Sequence, residues 1–309
     1  MAIVLVPIPI TEAMFQPDSV PAVDTAAGEV AWVSGQTVAV GDERVYGRRV
    51  WKCAVVPANL TVSPDKDPKA WEDWRPTNRW APFDDEVQTA GVGATGSRKY
   101  VLAMRFVSGL AIHNPVGRRL KITVRDAATN EDLTPPLDRA LRTSRPSLWN
   151  YLFGPKTRVT SHRIDGIQLR PKVYVTVEVT AGADEAVGLG FLSIGSWVTL
   201  GMFTGRSGVL YGARAEAVNF TTRKEGEDGR YKQVLRGSAT NLTLPIAVNP
   251  GDANRIWSVL LQLKDTPVSV YASKQEQFRY LASVGFVTSD LSPENLAVTK
   301  ANLFLKGIV

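Results

Sequence analysis

Short stretches of alternating apolar and polar residues, separated by turn sequences, run through most of this chain. In the stretch Lys172–Thr180, KVYVTVEVT, every second residue from Val173 to Val179 is valine. This period of two places the valines on one face of an extended strand. Glycine-containing turns such as SGQ, VGDE, TGRSG and NPGD stand between such stretches and are typical of antiparallel sheets. We therefore predict a mainly β fold, and 44% hydrophobic residues are enough to form its cores.

One segment near the C-terminus has helical periodicity instead. Its apolar residues recur at spacings of three and four and form one stripe, and Asp252 is a suitable N-cap in front of them. We predict an amphipathic helix near 253–264 and a final strand within 296–309. Shorter helical turns are predicted at Pro68–Trp74 and Ser147–Phe153.

The length of 309 residues predicts more than one domain, because single domains most often contain about 100 to 150 residues. Five of the eight tryptophans lie between residues 27 and 83, which makes this stretch compositionally distinct. The predicted parts are an N-terminal arm at 1–26, a small aromatic-rich three-stranded module at 27–85 (the tryptophan module), a β-sandwich-like domain at 86–204 and a β-rich domain with the helix at 205–309.

The positive charge is concentrated in one part of the chain. The net charge is +6, from 36 basic and 30 acidic residues, and residues 138–172 (the basic window) contain eight basic and two acidic residues. Because the window has no glycine-rich phosphate loop, no known reading helix and no aromatic RNA-binding motif, we expect no nucleic-acid partner. A partner with an acidic surface, a subunit interface and a solvated face are the interpretations that remain.

Aromatic residues stand among the arginines of the basic window, and arginine with aromatic residues is the composition that interface centres favour. We therefore predict a subunit or partner interface here. Its candidate residues are Arg139, Arg142, Arg145, Trp149, Tyr151, Phe153, Lys156 and Arg158.

Pairs of carboxylates do not indicate a glycosidase, which needs two of them facing each other across a cleft. The candidates Asp84 and Asp85, and Glu72 and Asp73, are neighbours in loop-like sequence. We expect no catalytic residues and no enzymatic activity.

Other reactive residues give no stronger signal. His113 and His162 lie outside any known nucleophile motif, Cys53 is the single cysteine and falls in an alternating strand, and the glycines of 188–195 lack the Lys-Ser/Thr of a phosphate loop. We expect no metal and no cofactor. No apolar run approaches the roughly 18 residues of a membrane-spanning helix, and the first residues, MAIVLVPIPI, lack a basic leader and are interpreted as mature sequence.

The run from Val38 to Val55 predicts three strands joined by Gly-Asp and Tyr-Gly turns. Its turns, its valine strand and the aromatic residue followed by lysine resemble small chitin- and cellulose-binding modules of secreted bacterial hydrolases. In those modules, exposed aromatic rings stack on sugars, because a flat ring offers a large rigid apolar face. The resemblance implies candidate glycan or partner contacts at Trp32, Trp51, Trp71, Trp74 and Trp80.

The alternative is that these tryptophans pack the core of a small module. Core packing is the preferred interpretation for Trp32, Trp51 and Trp80. Trp71 and Trp74 flank acidic residues, and one of these two is the better candidate for exposure. The pair Asn78 and Arg79 is expected to fix a loop by hydrogen bonds.

The sequence Pro-Thr-Asn-Arg-Trp-x-x-Phe-Asp at 76–84 is similar to a signature of tail and baseplate proteins of tailed bacteriophages. The last third of the chain is similar to them in the order of its parts. This resemblance implies a structural virion protein that is assembled in the host cytoplasm, forms homo-oligomers, contacts other tail proteins and takes part in attachment to host-surface glycan. The alternative hypothesis is a non-catalytic carbohydrate-binding accessory protein.

Overall fold

The computed structural model of the protein describes the chain except at residues 1, 90, 92, 144–147, 155–156, 204–205, 226–230, 235–236, 274 and 276–277. The described residues form strands β1 (Ala2–Pro7), β2 (Glu43–Tyr46), β3 (Arg49–Cys53), β4 (Trp71–Pro76), β5 (Ser97–Met104), β6 (Gly109–Val116), β7 (Arg119–Asp126), β8 (Leu137–Ala140), β9 (Arg142–Thr143), β10 (Thr157–Arg158), β11 (Ser161–Asp165), β12 (Val173–Thr180), β13 (Gly188–Leu200), β14 (Met202–Phe203), β15 (Arg206–Ser207), β16 (Arg214–Asn219), β17 (Thr222–Glu225), β18 (Tyr231–Val234), β19 (Ser238–Val248), β20 (Val268–Tyr271), β21 (Ala282–Pro293) and β22 (Thr299–Gly307).

Helices are few. The α-helices are α1 (Leu148–Phe153) and α2 (Pro250–Gln262), and single 3₁₀ turns occur at Glu12–Met14, Thr25–Ala27, Pro64–Lys66 and Ala81–Phe83. Strands hold 46% of the residues and helices 11%, so the predicted mainly β fold is confirmed, with its three-stranded N-terminal sheet and its helix near the C-terminus. Among the helices that the structure describes, none is long and apolar enough to cross a membrane.

The contacts between residues divide the chain into two compact units. Unit 1 contains residues 1–9, 108–111 and 193–309, and unit 2 contains residues 10–107 and 112–192. The domain boundaries expected from the sequence stay a prediction.

Unit 1 is built on an antiparallel sheet in the order β13-β1-β20-β21-β22-β19-β16. The long pairing of β21 with β22 runs from Gly285 opposite Gly307 to Pro293 opposite Thr299, which confirms that the end of the chain returns as a strand. A second small cluster, which includes Ile3 and Leu5 of β1, is also buried in this unit.

Helix α2 covers the main core of unit 1. Its buried residues Ile256 and Leu260 pack in one cluster with residues of β1, β19, β20 and β22, whereas Trp257 and Leu261 are exposed, so only part of the predicted apolar stripe is buried. The helix begins at Pro250, which fits the first turn because proline has no N–H to leave unpaired there. The prediction of Asp252 as the N-cap is therefore wrong: Asn249 takes that position, and Asp252 lies in the first turn.

Unit 2 contains a four-stranded sheet in the order β5-β12-β7-β8. The predicted valine face of β12 is confirmed, because Val173, Val175, Val177 and Val179 are all buried. Their partners across the sheet are also buried: Val175, for example, lies between Leu102 of β5 and Val124 of β7. The remaining pairings place β11 beside β6 and β9 beside β10.

The tryptophan module contains a separate sheet in the order β2-β3-β4. Two predicted elements differ from the structure here. Residues 38–40 form no strand, and the third strand is instead β4, which overlaps the stretch predicted as a helical turn at Pro68–Trp74. The register of β4 against β3 shifts between Val50 and Trp51, so that Trp74 has no partner opposite and forms a β-bulge.

Candidate functional site

The hairpin formed by β9 and β10 carries most of the predicted interface residues. The two strands pair with Arg142 opposite Arg158, and α1 lies between them in the sequence. We call the described residues 142–143, 148–154 and 157–158 the basic hairpin. The predicted residues Arg145 and Lys156 lie outside the described residues.

Helix α1 presents large apolar side chains to solvent. Trp149 is 71% exposed, Leu152 59% and Phe153 68%, and their spacing of three and four places them on one side of the helix. The rings of Trp149 and Phe153 lie 4.5 Å apart, centroid to centroid. The predicted helical turn is confirmed, and Tyr151 lies within it. Trp149, Leu152 and Phe153 thus form an exposed apolar surface on one side of α1.

The arginines near this helix fall into two groups. Arg118 donates two hydrogen bonds to Glu185, at 2.5 and 2.6 Å, and Arg119 donates two to Asp138, at 2.5 and 2.9 Å. The bonds from Arg118 lower the pKa of Glu185 to about 2. These two exposed carboxylates are therefore already neutralised by neighbouring side chains.

The second group consists of Arg139 and Arg142. Both are exposed, and neither forms an ion pair with any residue that the structure describes, although the charge of Arg142 helps to lower the pKa of Glu185. Arg158, opposite Arg142, donates from Nη2 to the carbonyl oxygen of Pro115 at 2.7 Å. The hairpin thus carries the exposed charge of Arg142 as well as the exposed apolar side chains of α1.

Most candidate tryptophans of the tryptophan module form its core. Trp71 is buried with Cys53 and Ala70, and Trp32 and Trp51 are half-buried against that cluster. Burial raises the pKa of the Cys53 thiol, which keeps it in the unreactive protonated form.

Trp80 is buried in an aromatic cluster of its own. Its ring meets that of Phe15 edge to face at 5.4 Å, and the guanidinium of Arg48 lies 3.9 Å from the ring centroid. Phe83 contacts both Phe15 and Trp80. These packed rings hold the module together and offer no face to a ligand.

Trp74 is the exception. Its side chain is 48% exposed, because the bulge in β4 turns it away from the paired residues. The ammonium of Lys52 lies 4.4 Å from the centroid of its ring. Of the five candidate tryptophans, this one has a surface that a sugar or a protein can contact.

Asn78 lies at the centre of a buried polar network. Its backbone N–H donates to Glu29 at 2.7 Å, its side-chain amide donates to Asp24 at 3.2 Å, and the Tyr100 hydroxyl donates to its carbonyl oxygen at 2.9 Å. Arg98, also buried, donates to Asp24 at 3.1 Å. The sequence indicated the structural role of Asn78, but not its partners, which lie up to 54 residues away.

Arg79 joins the same region to the preceding segment. Its Nε donates to the carbonyl oxygen of Val20 at 2.9 Å, its guanidinium lies 4.5 Å from the ring centroid of Phe15, and it forms an ion pair with Glu12. Asn78 and Arg79 thus fix a loop by hydrogen bonds, as we expected.

The titratable side chains lie in separate environments. Burial raises the pKa of Asp84 to about 6, against the effect of hydrogen bonds from Thr89 and Glu86. Burial lowers the pKa of His113 to about 4. No group of three or more potential metal ligands comes together among the residues that the structure describes.

Unit 1 contains a cavity that the sequence did not indicate. Its volume is about 520 Å³, and it lies between the segment 209–213 and the connection from β20 to β21. The exposed rings of Tyr211, Phe278 and Tyr280 stand around it, and none of its described lining residues is charged.

Comparison with known proteins gives no relative for this chain. No protein-family model, no curated protein sequence and no solved structure is similar to it. Its function therefore has to be argued from its own residues.

Proposed function

We propose that this protein is a structural component of a bacteriophage tail or baseplate. It is assembled into the virion in the host cytoplasm as a homo-oligomer, works through contacts with other tail proteins, and contributes to attachment at the host surface. The observation that carries the proposal is the exposed apolar side of α1 in the basic hairpin. The similarity of the sequence at 76–84 to tail and baseplate proteins supports a phage tail as the assembly in which this surface finds its partner.

The apolar side of α1 favours a protein partner on energetic grounds. Covering Trp149, Leu152 and Phe153 would remove on the order of 300 Å² of apolar surface from water, given their exposed fractions. At about 25 cal/mol per Å² this is worth roughly 7 kcal/mol before the costs of association. Tryptophan and arginine are also the residues that most often dominate the binding energy of an interface.

The test is the mass of the purified protein in solution, measured by light scattering with and without tail extracts from a candidate phage. We expect a discrete oligomer, or assembly with tail components that Trp149→Ala reduces. The matched control is Trp257→Ala, which removes a 41% exposed tryptophan from α2. The proposal is contradicted if the protein stays monomeric, does not bind tail components and is retained on polysaccharide.

A carbohydrate-binding accessory protein is the second candidate, and the exposed ring of Trp74 favours it. The ring face that does not meet Lys52 could stack on the C–H face of a pyranose. The test is retention on chitin and on cellulose. Loss of retention in Trp74→Ala, with retention unchanged in Trp149→Ala, would support this function.

A further inference from the structure

We infer that the basic hairpin binds an acidic surface of a different protein and not a second copy of itself. The inference rests on the proposed function, because it names the kind of partner that the interface takes. Its basis is the combination of exposed apolar rings with arginines that the described part of the chain does not neutralise.

Arg142 and Arg158 form a like-charge pair across the hairpin. Residues directly opposite in antiparallel strands project from the same face, and like charges in such a pair destabilise the sheet. The hydrogen bond from Arg158 to Pro115 holds one of the two guanidinium groups in place. A carboxylate bound between them would replace this repulsion with charge-assisted hydrogen bonds.

Among the described residues, Glu185 is influenced by Arg142, whose charge helps to lower the pKa of its carboxyl, but its ion pair is with Arg118. Glu185 and Asp138 each accept two hydrogen bonds from an arginine at the start of β7. This leaves Arg139 and Arg142 without an ion pair to any described residue. The positive charge is therefore available to carboxylates of a partner.

The apolar and charged groups are close enough for one partner to cover both. Thr143 and Thr157 are paired, and Phe153 is four residues from Thr157, so their Cα atoms lie within about 14 Å. A standard interface of about 800 Å² on each partner is wider than this. A partner that covers both would present carboxylates as well as apolar side chains.

A second copy of the hairpin does not meet this requirement. In a two-fold symmetric contact, each surface patch meets the same patch on the other subunit. The charged residues of the hairpin are Arg142 and Arg158, both basic, so such a contact would bring arginines against arginines. Like charges brought together in an interface cost several kcal/mol. The homo-oligomer of the proposed function must accordingly form through another surface.

The inference can be tested with defined peptides and the intact protein. The probes are three amphipathic helical peptides with leucine on one face and glutamate, glutamine or lysine on the other. Their affinities are measured by calorimetry at about 50 mM and about 300 mM salt. We expect the glutamate peptide to bind most tightly and to lose affinity at the higher salt concentration.

Variants locate the binding on the protein. We expect Arg139→Glu and Arg142→Glu each to weaken binding of the glutamate peptide about tenfold, and Trp149→Ala to do so by a similar factor. The matched control is Arg105→Glu, which makes the same charge change at an exposed arginine of unit 2 and should alter the affinity about twofold or less. Circular dichroism establishes that each variant is folded.

Three results would overturn the inference. They are equal binding of the glutamate and glutamine peptides, unchanged affinity in the folded variants of the hairpin, and a dimer of the protein that Trp149→Ala dissolves. If only the tail proposal fails, the wild-type protein binds the glutamate peptide but does not assemble with tail components.

Discussion

The tryptophan module and the basic hairpin use the same residue types in opposite ways. In the module, the rings of Trp71 and Trp80 are buried, and the arginine that approaches Trp80 adds to the packing. In the hairpin, Trp149 and Phe153 are exposed, and Arg142 forms no ion pair with a described carboxylate. Aromatic residues with arginine thus form a packed core in one region and an exposed surface in the other.

The largest expected difference lies between two tryptophan substitutions. Trp80→Ala should lower the free energy of unfolding by about 3–5 kcal/mol, because it leaves a cavity among packed rings. Trp149→Ala should change it by no more than about 0.5 kcal/mol, since its side chain is mostly in water. Urea unfolding of both variants measures the difference. Equal losses would mean that the two regions do not differ in the way described.

Two arginine substitutions extend the comparison to charge. Arg98→Met leaves Asp24 buried without its ion pair and should cost about 3–5 kcal/mol. Arg139→Met, at an exposed position of β8 just before the hairpin, should cost about 0.5 kcal/mol or less. Both are measured by urea unfolding at neutral pH. A small effect of Arg98→Met would show that the buried network contributes little to stability.

The buried imidazole of His113, in unit 2, should make the stability of the protein depend on pH. The pKa of His113 is lowered to about 4 by burial, so the unfolded chain binds a proton more readily as the pH falls below 6.5. Stability should therefore be lost between pH 6.5 and 4, by at most about 3 kcal/mol. Unfolding midpoints across this range measure the loss, and His113→Leu should flatten the pH dependence.

The smallest effects concern two carboxyl groups with opposite pKa shifts. The pKa of Asp84, near the module core, is raised to about 6, so the folded state holds its proton more tightly and stability falls as the pH rises from 4 to 6. The pKa of Glu185, beside the hairpin, is lowered to about 2, so its contribution is lost as the pH falls from 4.5 towards 2. Asp84→Asn should remove the first trend and leave the second, as measured by midpoints at a series of pH values.

The sequence predicted the strands whose periodicity is regular and missed the one that is interrupted. The alternating valines of β12 are buried because one face of that strand packs on the core. In β4, the bulge at Trp74 disturbs the alternation, and the spacing of three between Trp71 and Trp74 resembles a helical turn. The one-residue shift in pairing therefore gave the sequence of β4 a helical spacing, although the residues on either side of the bulge pair with β3.

For the candidate sites, the sequence likewise predicted which residues take part but not how they pair. The composition of the basic window indicated the arginines and rings of the hairpin, but not that Arg142 lies opposite Arg158, because this depends on pairing. The partners of Asn78 and the uncharged cavity of unit 1 were also missed, since each joins segments that are distant in the sequence.

The buried polar network has a consequence for synthesis of the chain. Asp24 and Arg98 are 74 residues apart, and Glu29 and Asn78 are 49 apart. At translation rates of about 5 to 20 residues per second, Asp24 leads Arg98 by about 4 to 15 seconds. During that interval Asp24 has no basic partner, whereas Glu29 can already pair with Arg75 of β4. Burial of Asp24 in its final form therefore has to wait until the ribosome has delivered β5.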